Sequence, residues 1–117
     1  MILMTVSIGL GAFGAHILRD QLILSGRKET FELGIRYLTY HSLALVILGA
    51  LTEKFRGLRI SALFLVIGVI LFSGSLLTLA LTNQPMWGAV APLGGSAFIA
   101  GWLHAAWVVY KSAKLPE

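Results

Sequence analysis

The sequence predicts an all-α integral membrane protein of 117 residues. The expected architecture is a four-helix bundle of antiparallel up-down topology, with a first connection that lies on the membrane surface. Three observations predict it. Hydrophobic residues make up 57% of the chain and charged ones 12%, where a soluble domain carries about 25% charged residues. A soluble protein this apolar would lack the polar surface to cover itself. The apolar residues fall into four runs, and the charges gather between those runs or at their ends.

A spanning helix needs roughly 20 predominantly apolar residues, with about 17 to 25 tolerated. On that measure a single transmembrane domain, 1–117, holds helices at about 1–18, 31–52, 58–82 and 86–110. The first is short but uninterrupted by charge. It lacks the basic n-region of a signal peptide, so a retained helix is expected. The apolar heart of the second, Tyr37 to Thr52, is too short alone and extends backward through Ile35 and Phe31. Glu32 and Arg36 then stand as an i,i+4 pair. The third and fourth, with the Asn83-Gln84-Pro85 connection between them, carry no charge after Arg59 and before Lys111.

The connections set the topology. Arg19 to Arg36 is the longest and holds seven charged residues, with Leu22, Ile23 and Leu24 placing it on the membrane surface. Ser25-Gly26 marks a break. Glu53 to Leu58 and Asn83-Gln84-Pro85 are short turns, which put consecutive helices side by side and antiparallel. With four spans, five basic residues (Lys54, Arg56, Arg59, Lys111, Lys114) share one side and four (Arg19, Arg27, Lys28, Arg36) the other. The positive-inside rule then puts both termini in the cytoplasm.

Composition also excludes functions. The net charge of +4 comes from residues that flank apolar runs, where they orient helices and meet headgroups, so no nucleic-acid partner is implied. Cysteine is absent, which removes disulfide and thiol chemistry. No carboxylate lies inside an apolar run, against a general acid/base pair or proton relay. No phosphate-binding glycine loop and no clustered metal motif occur. No catalytic residue and no metal ligand set is assigned, and the chain reads as a non-enzyme.

Two sets of residues stand out. Ser7, Gly11 and Ala15 on the first helix, and Ala97, Gly101 and Ala105 on the fourth, recur at four-residue spacing. Such rows let helix backbones approach closely in lipid, within one chain or between copies. The second set is polar. His16 closes the first helix, and His41 follows Tyr37 and Tyr40 into the second. Ser73 and Ser75 lie at a similar level on the third helix. Pro92 and its following glycines interrupt the fourth and free backbone carbonyls. His16, Tyr37, Tyr40, His41, Ser73, Ser75 and Pro92 are therefore expected to line one polar pocket, unless each satisfies its own helix locally. His16 and His41 suggest a haem or quinone at most, and no cofactor is otherwise implied; two ligands leave a zinc site incomplete. His104, between Trp102 and Trp107, reads as an interfacial belt residue.

GAFGAH at 11–16, YLTYH at 37–41, LFSGSLLTLALT at 71–82 and APLGGSAFIAGW at 91–102 occur in this order. In them the chain resembles the small membrane proteins grouped as domain of unknown function 423, relatives of transmembrane protein 256. The resemblance covers nearly the whole chain. It implies a four-helix membrane protein, in bacteria one of the inner membrane, and it implies no activity. The chain departs from the family's pattern at Leu38, Leu77 and Ala91, each time losing a polar group near the expected pocket.

The expected function is a non-enzymatic accessory, assembly or structural subunit of a membrane complex. Its partners would be the lipid bilayer and other membrane subunits or a second copy of itself. The alternatives are an oligomeric transporter or channel component, and a haem-, quinone- or metal-binding protein using His16 and His41.

Overall fold

Three helices are long and apolar enough to cross a membrane, and a shorter N-terminal helix packs beside them. The structure, a computed structural model, describes residues 1–114. Helix α1 is Ile2–His16 and α2 is the short Arg19–Leu24. Gly26, at φ +70°, turns the chain into α3, Lys28–Leu51; that left-handed backbone favours glycine. Next comes a continuous rod, Leu58–Thr82. It consists of α4 (Leu58–Gly68), a π-helical segment (Val69–Ser73) and α5 (Gly74–Thr82). Asn83 ends the rod in the left-handed conformation, φ 54°, the usual device for stopping a helix without glycine. A 3₁₀ turn, Pro85–Ala89, leads into α6, Ala91–Ala113.

The rod matches the expected 58–82. The other boundaries differ. α3 starts at Lys28, because the polar first turn is helical although it is not apolar. α6 starts at Ala91 and runs to Ala113, because Pro85 opens a separate 3₁₀ turn. α1 stops at His16 after 15 residues. It therefore rises about 22 Å, less than the roughly 30 Å of a hydrocarbon core.

Side-chain register shows the direction of each pair. On α1 and α3, Ser7 meets Thr39, Gly11 faces Ile35 and Gly14 faces Phe31, so the two run antiparallel. On α6 and the rod, Val108 meets Gly57, Gly101 meets Leu65, Phe98 meets Gly68 and Gly94 meets Phe72, again antiparallel. Arg27 Nε donates to Asn83 Oδ1 at 2.8 Å and ties the first connection to the third on one face. The expected up-down order is thus the order found.

The core belongs to α3, the rod and α6. Leu38, Ala44 and Leu48 pack with Leu58, Leu65 and Val69 and with Phe98, Ala105 and Val108. α1 lies outside this three-helix core. It packs mainly on α3 and buries only Ser7 and Gly14. The bundle is accordingly flattened, with extents of 59 × 26 × 15 Å.

The small-residue rows are partly as expected. Ser7 is buried and Gly11 faces Ile35, but Ala15 is exposed, and Gly14 makes the close approach instead. On α6, Gly101 and Ala105 are buried on the rod while Ala97 is only half-buried. The true α6 seam is Gly94, Phe98, Gly101, Ala105 and Val108. It steps by three and four residues alternately, as helices crossing at a shallow left-handed angle require.

Candidate functional site

Three of the polar residues buried in this bundle, Ser7, His41 and Ser61, bond between helices. Ser7 Oγ is hydrogen-bonded to Thr39 Oγ1. Thr39 Oγ1 in turn donates to its own helix at Ile35 O, 2.9 Å, so Ser7 is the donor of the pair. Ser61, fully buried on α4, is bonded to His104 Nδ1 on α6 at 2.7 Å. His104 is therefore an internal cross-link, in contrast to the interfacial belt expected of it. Trp107 and Tyr110 instead face outward. Both are more than half exposed, with Lys111 over the Trp107 ring at 5.0 Å and Lys114 over the Tyr110 ring at 4.5 Å.

His41 is the centre of the third such connection. It is 5% exposed. Its Nδ1 lies 2.8 Å from Tyr37 O. A carbonyl only accepts, so Nδ1 carries the proton. Nε2 is then a bare acceptor, and Trp102 Nε1 donates to it at 3.1 Å. The two bonds define one neutral tautomer. The ring also stacks on Phe98, with centroids 3.6 Å apart and planes 11° apart. Tyr37 packs on Phe72 at 4.7 Å and leans on Tyr40 at 5.9 Å. The result is an aromatic cluster that joins α3, the π segment and α6.

A groove of about 500 Å³ runs along this cluster. Tyr37, His41, Phe72, Phe98 and Trp102 line it. Its walls are almost wholly apolar, since both nitrogens of His41 are already bonded.

The expected polar pocket is only partly assembled. Tyr37 and His41 come together, and Tyr40 touches the edge of the cluster but is 56% exposed. His16 is elsewhere. It is exposed at the end of α1, and the register of Gly14 on Phe31 puts it level with the first turns of α3. That is some eleven residues from His41, or about 16 Å along the helix. The two histidines do not face each other. Ser75 is bonded to Phe72 O at 2.9 Å within its own helix. Pro92 is exposed, and its carbonyl accepts from Ser96 at 2.9 Å. Ser73 is 1% exposed, and its hydroxyl has no partner among the described residues.

The sequence of the family described as "Protein of unknown function (DUF423)" matches residues 10–95. The UPF0382 membrane protein SH2409 of Staphylococcus haemolyticus is 41% identical over 99 residues, which cover 84% of this chain and 80% of the relative. The UPF0382 inner membrane protein YgdD of Escherichia coli is 41% identical over 103 residues, 83% of this chain and 75% of the relative. The chain belongs to the DUF423, or UPF0382, family of membrane proteins. YwdK of Bacillus subtilis, another UPF0382 membrane protein, is 38% identical over 101 residues, 84% of this chain and 81% of the relative. No solved structure matches. The expected family and the membrane location are thereby established, the location being the inner membrane in the Escherichia coli relatives.

Sequence reasoning found Tyr37 and His41 in this DUF423 chain but missed Phe72, Phe98 and Trp102. Phe98 and Trp102 are four residues apart, so they share a helix face. That spacing was the available signal. It does not say which face, because α6 is apolar all round.

Proposed function

We propose that this protein is a non-enzymatic accessory, assembly or structural subunit of a membrane complex. One observation carries the reading: the histidines inside the bundle are engaged as helix-to-helix cross-links. His41 and His104 each hold α6, to α3 and to α4 respectively. Among the described residues no three His, Asp or Glu side chains gather where they could hold a metal ion. The shape agrees. The surface is 7544 Å², where a compact monomer of this mass exposes about 6200 Å², so helix faces are left for a partner, a second copy or lipid. Purification in mild detergent, with the tag on this chain and then on its partner, is the test. Recovery of one stoichiometric partner in both directions is expected. A homogeneous lone monomer in native lipid particles overturns the reading.

A second reading rests on the groove beside His41. Its stacked rings suit a flat ring such as that of a quinone, whereas a metal or haem iron would have to displace Trp102 from Nε2 of His41. Solvent extraction of the purified protein checks this: a stoichiometric quinone supports it, and none retained after purification from a quinone-replete membrane removes it.

A further inference from the structure

A second cavity, of about 400 Å³, opens between α1, α2 and the start of α3. It lies along the C-terminal half of α1 and shares no lining residue with the groove beside His41. Its floor is low because Gly11, Gly14 and Ala15 carry little or no side chain, and Phe31, whose ring covers Gly14, forms an apolar wall with Ile35. Its charged rim is Arg19, Lys28 and Arg36, opposed by Glu32. Lys28 and Glu32 form the one ion pair among the described residues, at 4.0 Å. Arg19 and Arg36 are left unpaired there.

Arg36 makes the case specific. Lys28, Glu32 and Arg36 are spaced four residues apart on one strip of α3, and Arg36 lies about 12 Å beyond Lys28 along the axis. It therefore stands where the apolar part of α3 begins. A cation at that depth without a protein counter-ion is costly unless an anion meets it or it reaches the interface. Alongside the charged strip run Phe31 and Ile35, so the cavity presents cations beside an apolar channel. A volume near the lower end of ligand sites, roughly 300 to 1,000 Å³, takes a headgroup and the start of a chain, not a whole lipid.

We propose that this cavity binds one anionic diacyl phospholipid. Its phosphate would sit between Arg19 and Arg36, and one acyl chain would lie along Ala15 and Gly11 against Phe31 and Ile35. Arginine guanidinium groups hold phosphate through paired charge-assisted hydrogen bonds, and net positive charge at the rim selects anionic headgroups over zwitterionic ones. The proposal does not depend on the accessory-subunit reading.

Native mass spectrometry of the delipidated protein tests it, titrated in parallel with phosphatidylglycerol, phosphatidylcholine and soluble glycerol phosphate. The expected result is a single phosphatidylglycerol adduct favoured about tenfold over phosphatidylcholine. Arg19→Gln and Arg36→Gln should each lower that preference about fivefold, the weight of one basic residue at a membrane surface, while Lys111→Gln at the other end leaves it unchanged. If the arginine variants do not fold, Glu32→Gln serves, and it should raise the preference by a similar factor. Equal binding of the two lipids, no response to these variants, or glycerol phosphate binding as tightly as the lipid would each overturn the proposal.

Discussion

Trp102 Nε1 donates to His41 Nε2 across 3.1 Å, and this bond fixes both the tautomer of His41 and the rotation of α6 about its axis. α6 makes most of its contacts with the rod, and it reaches α3 mainly through these aromatic rings. Removing the donor by Trp102→Phe keeps an aromatic side chain, though a smaller one, and leaves a buried acceptor unpaired. Polar contacts between membrane helices contribute about 0.6 kcal/mol on average and up to about 1.7. A double-mutant cycle of Trp102→Phe with His41→Leu, read by reversible unfolding in mixed micelles, should give a coupling in that range. A coupling indistinguishable from zero would show that the bond does not hold α6.

α1 hangs on α3 through Ser7 and Thr39, and the absence of native cysteine makes their register directly testable. Contact between the two hydroxyls places the β-carbons near the range that a disulfide needs. The pair Ser7→Cys and Thr39→Cys should therefore oxidise to an intramolecular disulfide. Ile8 is 66% exposed and points away, so Ile8→Cys with Thr39→Cys should stay reduced. Thiol labelling followed by gel shift distinguishes the two. Cross-linking of both pairs, or of neither, would contradict the packing of α1.

The element order was legible in the sequence, and the helix rotations were not. Glycine, proline and charge clusters punctuate the chain at Ser25-Gly26, Gly57 and Asn83-Pro85, so the number and direction of helices follow from them. Arg27 and Asn83 lie in the first and third connections, and up-down order alone puts those on one face. Rotation is different. A helix in lipid is apolar on every side, so no periodic stripe marks its inner face. This is why His104 read as a belt residue when it points inward at Ser61, and why Ala15 was expected in a seam that Gly14 occupies. The π segment adds a further displacement. Each residue turns a helix by about 100°, so one extra residue at Val69–Ser73 re-aims everything on α5 relative to α4. Nothing in Val69-Ile70-Leu71-Phe72-Ser73 announces it.

Ser73 lies in that segment with a buried, unpartnered hydroxyl. Ser75, two residues on, donates to Phe72 O. The two serines should respond differently to loss of the hydroxyl. An unsatisfied buried donor carries a desolvation penalty of about 1–3 kcal/mol, so Ser73→Ala should leave stability unchanged or raise it by about 1 kcal/mol. Ser75→Ala removes a made bond and should lower it by about 0.5–1 kcal/mol. Thermal unfolding in one detergent suffices to compare them. Clear destabilisation by Ser73→Ala would mean that the hydroxyl has a partner, such as a bound water or ligand.

Gly94 is the tightest point between α6 and the rod. A β-carbon there would fall against Phe72 N, 2.6 Å from Phe72 Cβ and 2.7 Å from the Leu71 carbonyl carbon. At Gly14 and Gly68 the obstruction is side chain alone, the ring of Phe31 or Phe98. At Gly94 it includes backbone, held by the π segment, and only a separation of the helices would make room. Gly94→Ala should therefore destabilise by the amount typical of overpacking, about 1–3 kcal/mol, despite the gain in helix propensity. Gly9, on α1, has nothing within 4 Å of the corresponding position. Gly9→Ala should be neutral or stabilise by roughly 0.5–1 kcal/mol, the helix preference for alanine over glycine. The opposite signs expected of one chemical change, compared by unfolding midpoint in the same micelles, separate backbone contact from propensity. Equal effects at the two sites would mean that α6 does not approach the π segment this closely.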